Sequence, residues 1–167
     1  MANDTAADTQ QATKTDTEAS VEAQAAGVTE PVNIIAFCCN WCSYAGADLA
    51  GVSRLQYPAN VKVIRIMCTG RLDPHFVLRA FELGIDGVLV CGCHIGDCHY
   101  ISGNKRAEVR IGNLKKLMHL IGIDPERLQL KWISASEGTL FAETMKEFKT
   151  RIEKLGKNPL RRPQNRE

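Results

Sequence analysis

Through the middle of the chain, short apolar runs alternate with longer stretches in which apolar residues recur every three or four positions. Four runs, Val32–Phe37 (VNIIAF), Val61–Met67 (VKVIRIM), Gly87–Cys91 (GVLVC) and Leu128–Ile133 (LQLKWI), read as strands. They are close to continuously apolar, which predicts a sheet buried on both faces. After the first strand, Ala45, Leu49 and Val52 repeat at helical spacing, and Tyr57-Pro58 ends that element. Asp73-Pro74 supplies an N-cap and an N1 proline for a second helix, with Val77, Ala80 and Phe81 facing inward and Gly84 closing it. Ala107, Ile111, Leu114, Met118 and Ile121 form the stripe of a third helix, which stops at Gly122. Ser134 and Glu137 stand at capping-box spacing before a fourth. Its stripe is Phe141, Met145, Phe148, Ile152 and Leu155, and Gly156 stops it.

Strand–helix alternation implies right-handed crossovers and a parallel sheet. The predicted class is therefore α/β, a small four-stranded parallel sheet in a flavodoxin-like or Rossmann-like three-layer sandwich. The pattern does not encode the strand order.

Charge divides the chain further. Residues 1–30 carry six acids and one base, a sum of −5; the net charge of the whole is +2, so the remainder sums to +7. The first segment has no aromatic residue and too little apolar surface to offset its ordering entropy, which predicts a disordered acidic tail over 1–30. Lys157, Arg161, Arg162 and Arg166 among prolines predict a basic C-terminal tail over 157–167, solvated rather than a nucleic-acid arm. The folded domain is then 31–156. The apolar runs are too short to span a bilayer and no secretion signal is evident, so the reading is cytoplasmic, without membrane insertion or nucleic acid.

The seven cysteines change the picture most. An odd number excludes complete internal pairing, and a reducing compartment favours metal or thiol chemistry. Cys38, Cys39 and Cys42 follow the first strand and Cys68 the second, while Cys91 ends the third, with Cys93 and Cys98 in its loop. In a parallel α/β sheet these positions share the carboxyl edge, where ligands gather. Three chemistries suit that placement. An iron–sulfur cluster takes thiolates from separate loops near backbone N–H groups. Structural zinc takes four thiolates or imidazoles, usually in domains too small to fold alone. A thiol–disulfide couple is suggested by Cys39-Asn40-Trp41-Cys42, a C-x-x-C opening a helix after a strand. Spacing favours the cluster over a stand-alone zinc or thiol–disulfide protein.

The motifs C-N-W-C-S-Y-A-G-A-D-L-A-G (39–51), R-I-M-C-T-G-R-L-D-P (65–74), G-C-H-I-G-D-C-H-Y-I-S-G-N (92–104) and W-I-S-A-S-E-G-T-L-F (132–141) resemble the delta subunit family of methyl-viologen-reducing hydrogenase. The resemblance covers about 32–156. It implies a small [2Fe–2S] protein that relays electrons between a hydrogenase or formate dehydrogenase module and the flavin-containing heterodisulfide reductase A-like component of heterodisulfide reductase-type complexes, or within a related low-potential reductase complex. It implies no catalysis of its own. The family's cysteines match Cys39, Cys42, Cys68, Cys93 and Cys98, one more than a [2Fe–2S] cluster uses. Cys68 and the C-x4-C pair Cys93 and Cys98 are the firmer ligands, with Cys39 and Cys42 competing for the fourth place. Cys38 and Cys91 depart from the pattern and read as small packing residues.

Other residues weigh less. His94 and His99 follow cysteines directly; outer-shell hydrogen bonds to sulfur suit them better than a Rieske-type ligand set. Trp41 suits a shield, a partner contact or the core. Lys105, Arg106, Arg110, Lys115 and Lys116 lie on the outward side of the third helix, a solvated face or a partner surface. No phosphate-binding glycine motif is present, which argues against a flavin or nucleotide on this chain.

Overall fold

The structure is a computed structural model and describes residues 31–161. The acidic segment 1–30 and residues 162–167 of the basic segment lie outside the described residues.

Four strands, β1 (Ile34–Cys39), β2 (Val61–Ile66), β3 (Gly87–Gly92) and β4 (Leu128–Trp132), alternate with four helices. The helices are α1 (Ser43–Val52), α2 (Pro74–Glu82), α3 (Gly103–Leu120) and α4 (Gly138–Leu155), with 3-10 turns at Thr69–Arg71 and Pro125–Arg127. The strands form one sheet in the order β2-β1-β3-β4, all neighbours parallel. The predicted α/β class and four-stranded parallel sheet are therefore present. The order adds what the sequence lacked: β1 and β3 are central, and the direction of winding reverses between them.

Alternation along β1 and β3 fills two layers. Ile34, Ala36, Cys38, Leu89 and Cys91 pack with Ala47, Ala50, Phe141, Met145, Phe148 and Ile152 of α1 and α4. Phe37, Val88 and Val90 pack with Val77, Ala80 and Phe81 of α2 and with Ile111, Leu114 and Met118 of α3. Each fully buried phenylalanine among these contributes about 1.5–3 kcal/mol through the area it removes from water.

The structure corrects several boundaries and faces. β1 runs two residues further than the apolar run, so Cys38 and Cys39 are its last residues rather than loop residues. The inward face of α1 is Ser43, Gly46, Ala47 and Ala50, whereas Leu49 and Val52 are exposed. The reason is close approach rather than hydrophobicity. A Cβ on Gly46 would stand 2.8 Å from the Ser134 carbonyl oxygen, and one on Gly138 would stand 2.9 Å from the Ala50 nitrogen. Small residues let α1 and the start of α4 touch; Val52 is turned out, and the Leu49 side chain lies against Gly138. At the end of α3, Ile121 is exposed and Ile123 takes the core place. The capping box is half formed: the Glu137 carboxylate accepts from the Ser134 N–H at 2.6 Å, but Ser134 Oγ meets Ser136 Oγ and the helix starts only at Gly138.

The end of the sheet remote from the cysteines is tied by buried polar groups. Asp86 accepts from the backbone N–H groups of Asn33 and Asn158, both at 2.8 Å. The Asn158 amide donates to the carbonyls of Phe81 and Ile85. Arg127, also buried, donates to the carbonyls of Asp86, Leu155, Gly156 and Lys157 at 2.9–3.0 Å. It thereby satisfies the exposed acceptors at the C-terminus of α4. Packing thus continues through Asn158, at the head of the segment read from sequence as the basic tail. Among the described residues no helix is long and apolar enough to cross a membrane.

Candidate metal centre

The carboxyl ends of β1 and β3 flank the point where the winding reverses, the usual ligand crevice of an open α/β sheet. Three of the predicted ligands meet there. The Sγ atoms of Cys39, Cys42 and Cys93 lie within 4.8 Å of one another, and those of Cys39 and Cys93 are 3.8 Å apart. Strand alternation explains why neighbours in sequence part company. Cys38 faces the α1/α4 layer beside its register partner Cys91, and Cys39 turns to the crevice. Burial and the neighbouring Cys38 thiol push the Cys91 thiol well above its usual range, so it is a neutral packing group.

Cys68 and Cys98 form a second group beside the first. Cys68 is the N-cap of the Thr69–Arg71 turn, with its Sγ accepting from the Gly70 N–H at 3.4 Å. The two sulfurs flank Gly103, the first residue of α3. A Cβ there would stand 3.1 Å from the Cys98 sulfur and collide with that of Cys68. Gly70 and Gly103 are themselves in backbone contact, since a Cβ on Gly70 would come within 2.6 Å of the Gly103 Cα. The two groups communicate: Cys39 Sγ is 3.8 Å from the Met67 carbonyl oxygen, and Cys39 and Cys68 feel each other's charge.

Five sulfurs so placed do not ionise alike. Cys42 donates to Cys39, and this, with other contacts, holds the Cys39 thiol down at about 6. The same contact, burial and neighbouring thiols push Cys42 up. Burial raises Cys93 to about 11 and also raises Cys68. Burial works against Cys98 too, but the backbone N–H groups of Asn104, Tyr100 and Gly103 outweigh it and lower the thiol. Two of these N–H groups open α3, where the helix dipole favours negative charge. The site is therefore an acceptor-rich pocket of soft donors, two of them already inclined to thiolate. A cationic iron centre fits this donor set, and closely spaced amide N–H groups are what cluster sulfurs use.

Side chains not read from the sequence as site residues hold the loops: Ser43 and Asn104 within the motifs and Arg110 beyond them. Ser43 Oγ accepts from the Cys39 N–H at 2.9 Å and donates to the Cys91 carbonyl at 2.7 Å, bridging β1 and β3 directly below the crevice. The Asn104 amide donates to the carbonyls of Cys93 and His94. Arg110 donates to the carbonyls of Gly70 and Leu72, fixing the Cys68 loop; this guanidinium turns inward, not onto an outward face. A buried Ser just inside a helix and an Asn at its second position were the available signals.

The rings of His94 and His99 take partners other than sulfur, while the His99 backbone N–H donates to Cys93. His94 Nε2 is 2.7 Å from Glu137 Oε2, and this contact with the Ser134 N–H holds the carboxyl down at about 2. His99 stacks on Trp41 with ring centroids 3.7 Å apart, and Tyr100 meets both rings edge-on. Trp41 is thus half-exposed and ties the β1 and β3 loops together over the crevice; it is not core.

Comparison with known proteins agrees with this arrangement. The family methyl-viologen-reducing hydrogenase, delta subunit (FlpD), matches residues 34–156. The chain is 53% identical over 124 residues to the iron-sulfur D-type component of F420-non-reducing hydrogenase from Archaeoglobus profundus, covering 74% of this chain and 90% of that protein. The corresponding hydrogenase iron-sulfur protein of Methanococcus voltae is 49% identical over 123 residues, 74% of this chain and 85% of the relative. The A-type component of ferredoxin:CoB-CoM heterodisulfide reductase from Methanosarcina mazei is 50% identical over 138 residues, 83% of this chain but only 17% of that much longer protein. With the match spanning all four strands, all four helices and the three cysteine loops, the chain belongs to the methyl-viologen-reducing hydrogenase delta subunit family.

Proposed function

We propose that this chain is the electron-relay component of a cytoplasmic reductase complex and holds one [2Fe–2S] cluster with four of Cys39, Cys42, Cys68, Cys93 and Cys98. The observation that supports the reading is a group of three buried sulfurs, Cys39, Cys42 and Cys93, with a second pair, Cys68 and Cys98, beside it, all from the ends of three strands. When bound, the cluster supplies reversible one-electron chemistry. The chain's own residues do the rest. Ser43, Asn104 and Arg110 fix the loops, the α3 N–H groups stabilise thiolate charge at Cys98, and the Trp41–His99 stack limits water. The catalytic partner lies elsewhere in the complex.

A flavin-containing heterodisulfide reductase A-like protein is the proposed partner on one side. The Methanosarcina mazei relative supports this, because there a segment similar to this chain is part of the heterodisulfide reductase polypeptide itself. The iron-sulfur relatives from F420-non-reducing hydrogenases support a hydrogenase module on the other side, for which a formate dehydrogenase module could substitute.

The decisive experiment is anaerobic purification followed by iron, labile sulfide and zinc analysis with EPR of the reduced protein. Two irons and two sulfides per chain with an S = 1/2 signal support the relay. Zinc without labile sulfide, or no metal with a Cys39–Cys42 disulfide, replaces it with a zinc or thiol–disulfide protein. Changing Cys39 and Cys42 singly to Ser identifies the surplus thiol: one variant retains iron and the other does not. Loss of the whole cluster from both overturns the one-surplus assignment.

A further inference from the structure

Beside the cysteine crevice, on the Cys68 side, runs a trough that the relay alone does not require. Its inner end is lined by Met67, Cys68, Tyr100 and Gly103, and its flanks by Arg71, Lys105 and Arg106. Met67 is 56% exposed and Tyr100 50%, although each adjoins or lies two residues from a buried cysteine. Next to Tyr100 stands Ile101, 86% exposed with φ at +71°. A β-branched residue rarely adopts that left-handed conformation. So exposed, Ile101 gains little internal packing in return, and strain of this kind concentrates at functional surfaces. Arg71, Lys105 and Arg106 are exposed, and none is in an ion pair among the described residues. Asp73 is the acid that lines the outer end of the trough, and its carboxylate caps α2.

An exposed apolar centre ringed by like charge, lying over a buried redox-capable sulfur, is the anatomy of a transient electron-transfer interface. Complementarity fixes the sign of what it takes. We propose that this trough is a docking surface for an acidic redox protein, in which Met67, Tyr100 and Ile101 form the contact centre and Arg71, Lys105 and Arg106 steer the partner's carboxylates. The inference rests on the relay reading and deepens it by assigning the face through which an acidic partner exchanges electrons.

The test uses the cluster-loaded protein, with iron counted first in every sample, and an acidic plant-type ferredoxin as probe, with basic cytochrome c as sign control. Binding is read by calorimetry at 10 mM and 300 mM salt. The expected result is ferredoxin binding that weakens at least tenfold at the higher salt, and at least tenfold in R71E/K105E/R106E. The charge-matched variant K62E/K146E/K154E, on exposed lysines of β2 and α4, keeps the parent affinity. I101G is expected to weaken binding at least fivefold while its melting temperature stays level or rises, because glycine relieves the left-handed strain; this variant decides if the triple variant loses iron. Absence of ferredoxin binding at 10 mM salt, preference for cytochrome c, or unchanged affinity in I101G overturns the docking surface. A parent protein without iron instead refutes the relay reading.

Discussion

Gly103 has no side chain because two sulfurs occupy the space one would need. Gly103→Ala is therefore expected to cut bound iron by more than half while far-UV circular dichroism stays unchanged, since the added methyl meets Cys68 and Cys98 and not the helical core. Cys38→Ala is expected to do the reverse. It leaves iron per chain at the parent value and lowers stability by about 1–3 kcal/mol in a denaturant titration, as a small core truncation does. The contrast isolates strand parity as the property that divides adjacent cysteines. The sequence placed the cysteines at the right sheet edge because residue type and strand end suffice for that. The apolar run, which ended two residues before the strand did, did not show the separate environments of Cys38 and Cys39; the family motif, which Cys38 does not match, set them apart, and Cys38 is a core packing residue as that reading expected.

At the level of elements, the second, third and fourth helices were legible in most of their apolar stripes and in the glycines that stop them, and the second also in its N-cap. Asp73 accepts from the His75 N–H as an N-cap should, and Phe141, Met145, Phe148 and Ile152 are all buried. The inward face of α1 was not legible, since helix contact there depends on absent side chains that a hydrophobic stripe cannot register. Nor were the polar ties at the other end of the sheet, which join residues more than 25 positions apart. Arg127 is the strongest of them. Arg127→Met is expected to destabilise the fold by about 3 kcal/mol or more, because carbonyls of Asp86 and of the end of α4 lose a charged donor together. Thermal denaturation checks it. Arg127→Lys should recover only part of the loss, having one point donor in place of a planar fork.

For the molecule as a whole, the sheet separates two tasks. Polar anchors occupy the amino ends of its strands and the sulfur crevice the carboxyl ends, about 20 Å apart for strands of six residues. Variants at the two ends should then act independently. The stability losses of Arg127→Met and Ser43→Ala are expected to add within about 0.5 kcal/mol, as for distant sites without shared partners. Ser43→Ala alone should also reduce iron uptake, and Arg127→Met should not, when each is reconstituted at a temperature where it is folded. The parallel pairing of β1 with both β2 and β3 has a bearing on biogenesis. Cys39, Cys68 and Cys98 are spread over 60 positions of chain and become neighbours only when three strands, joined by two helical crossovers, have found their register. The nascent chain cannot offer the proposed coordination sphere one loop at a time, so delivery of iron is expected to follow folding, and a loaded centre would certify that the central strands have paired correctly.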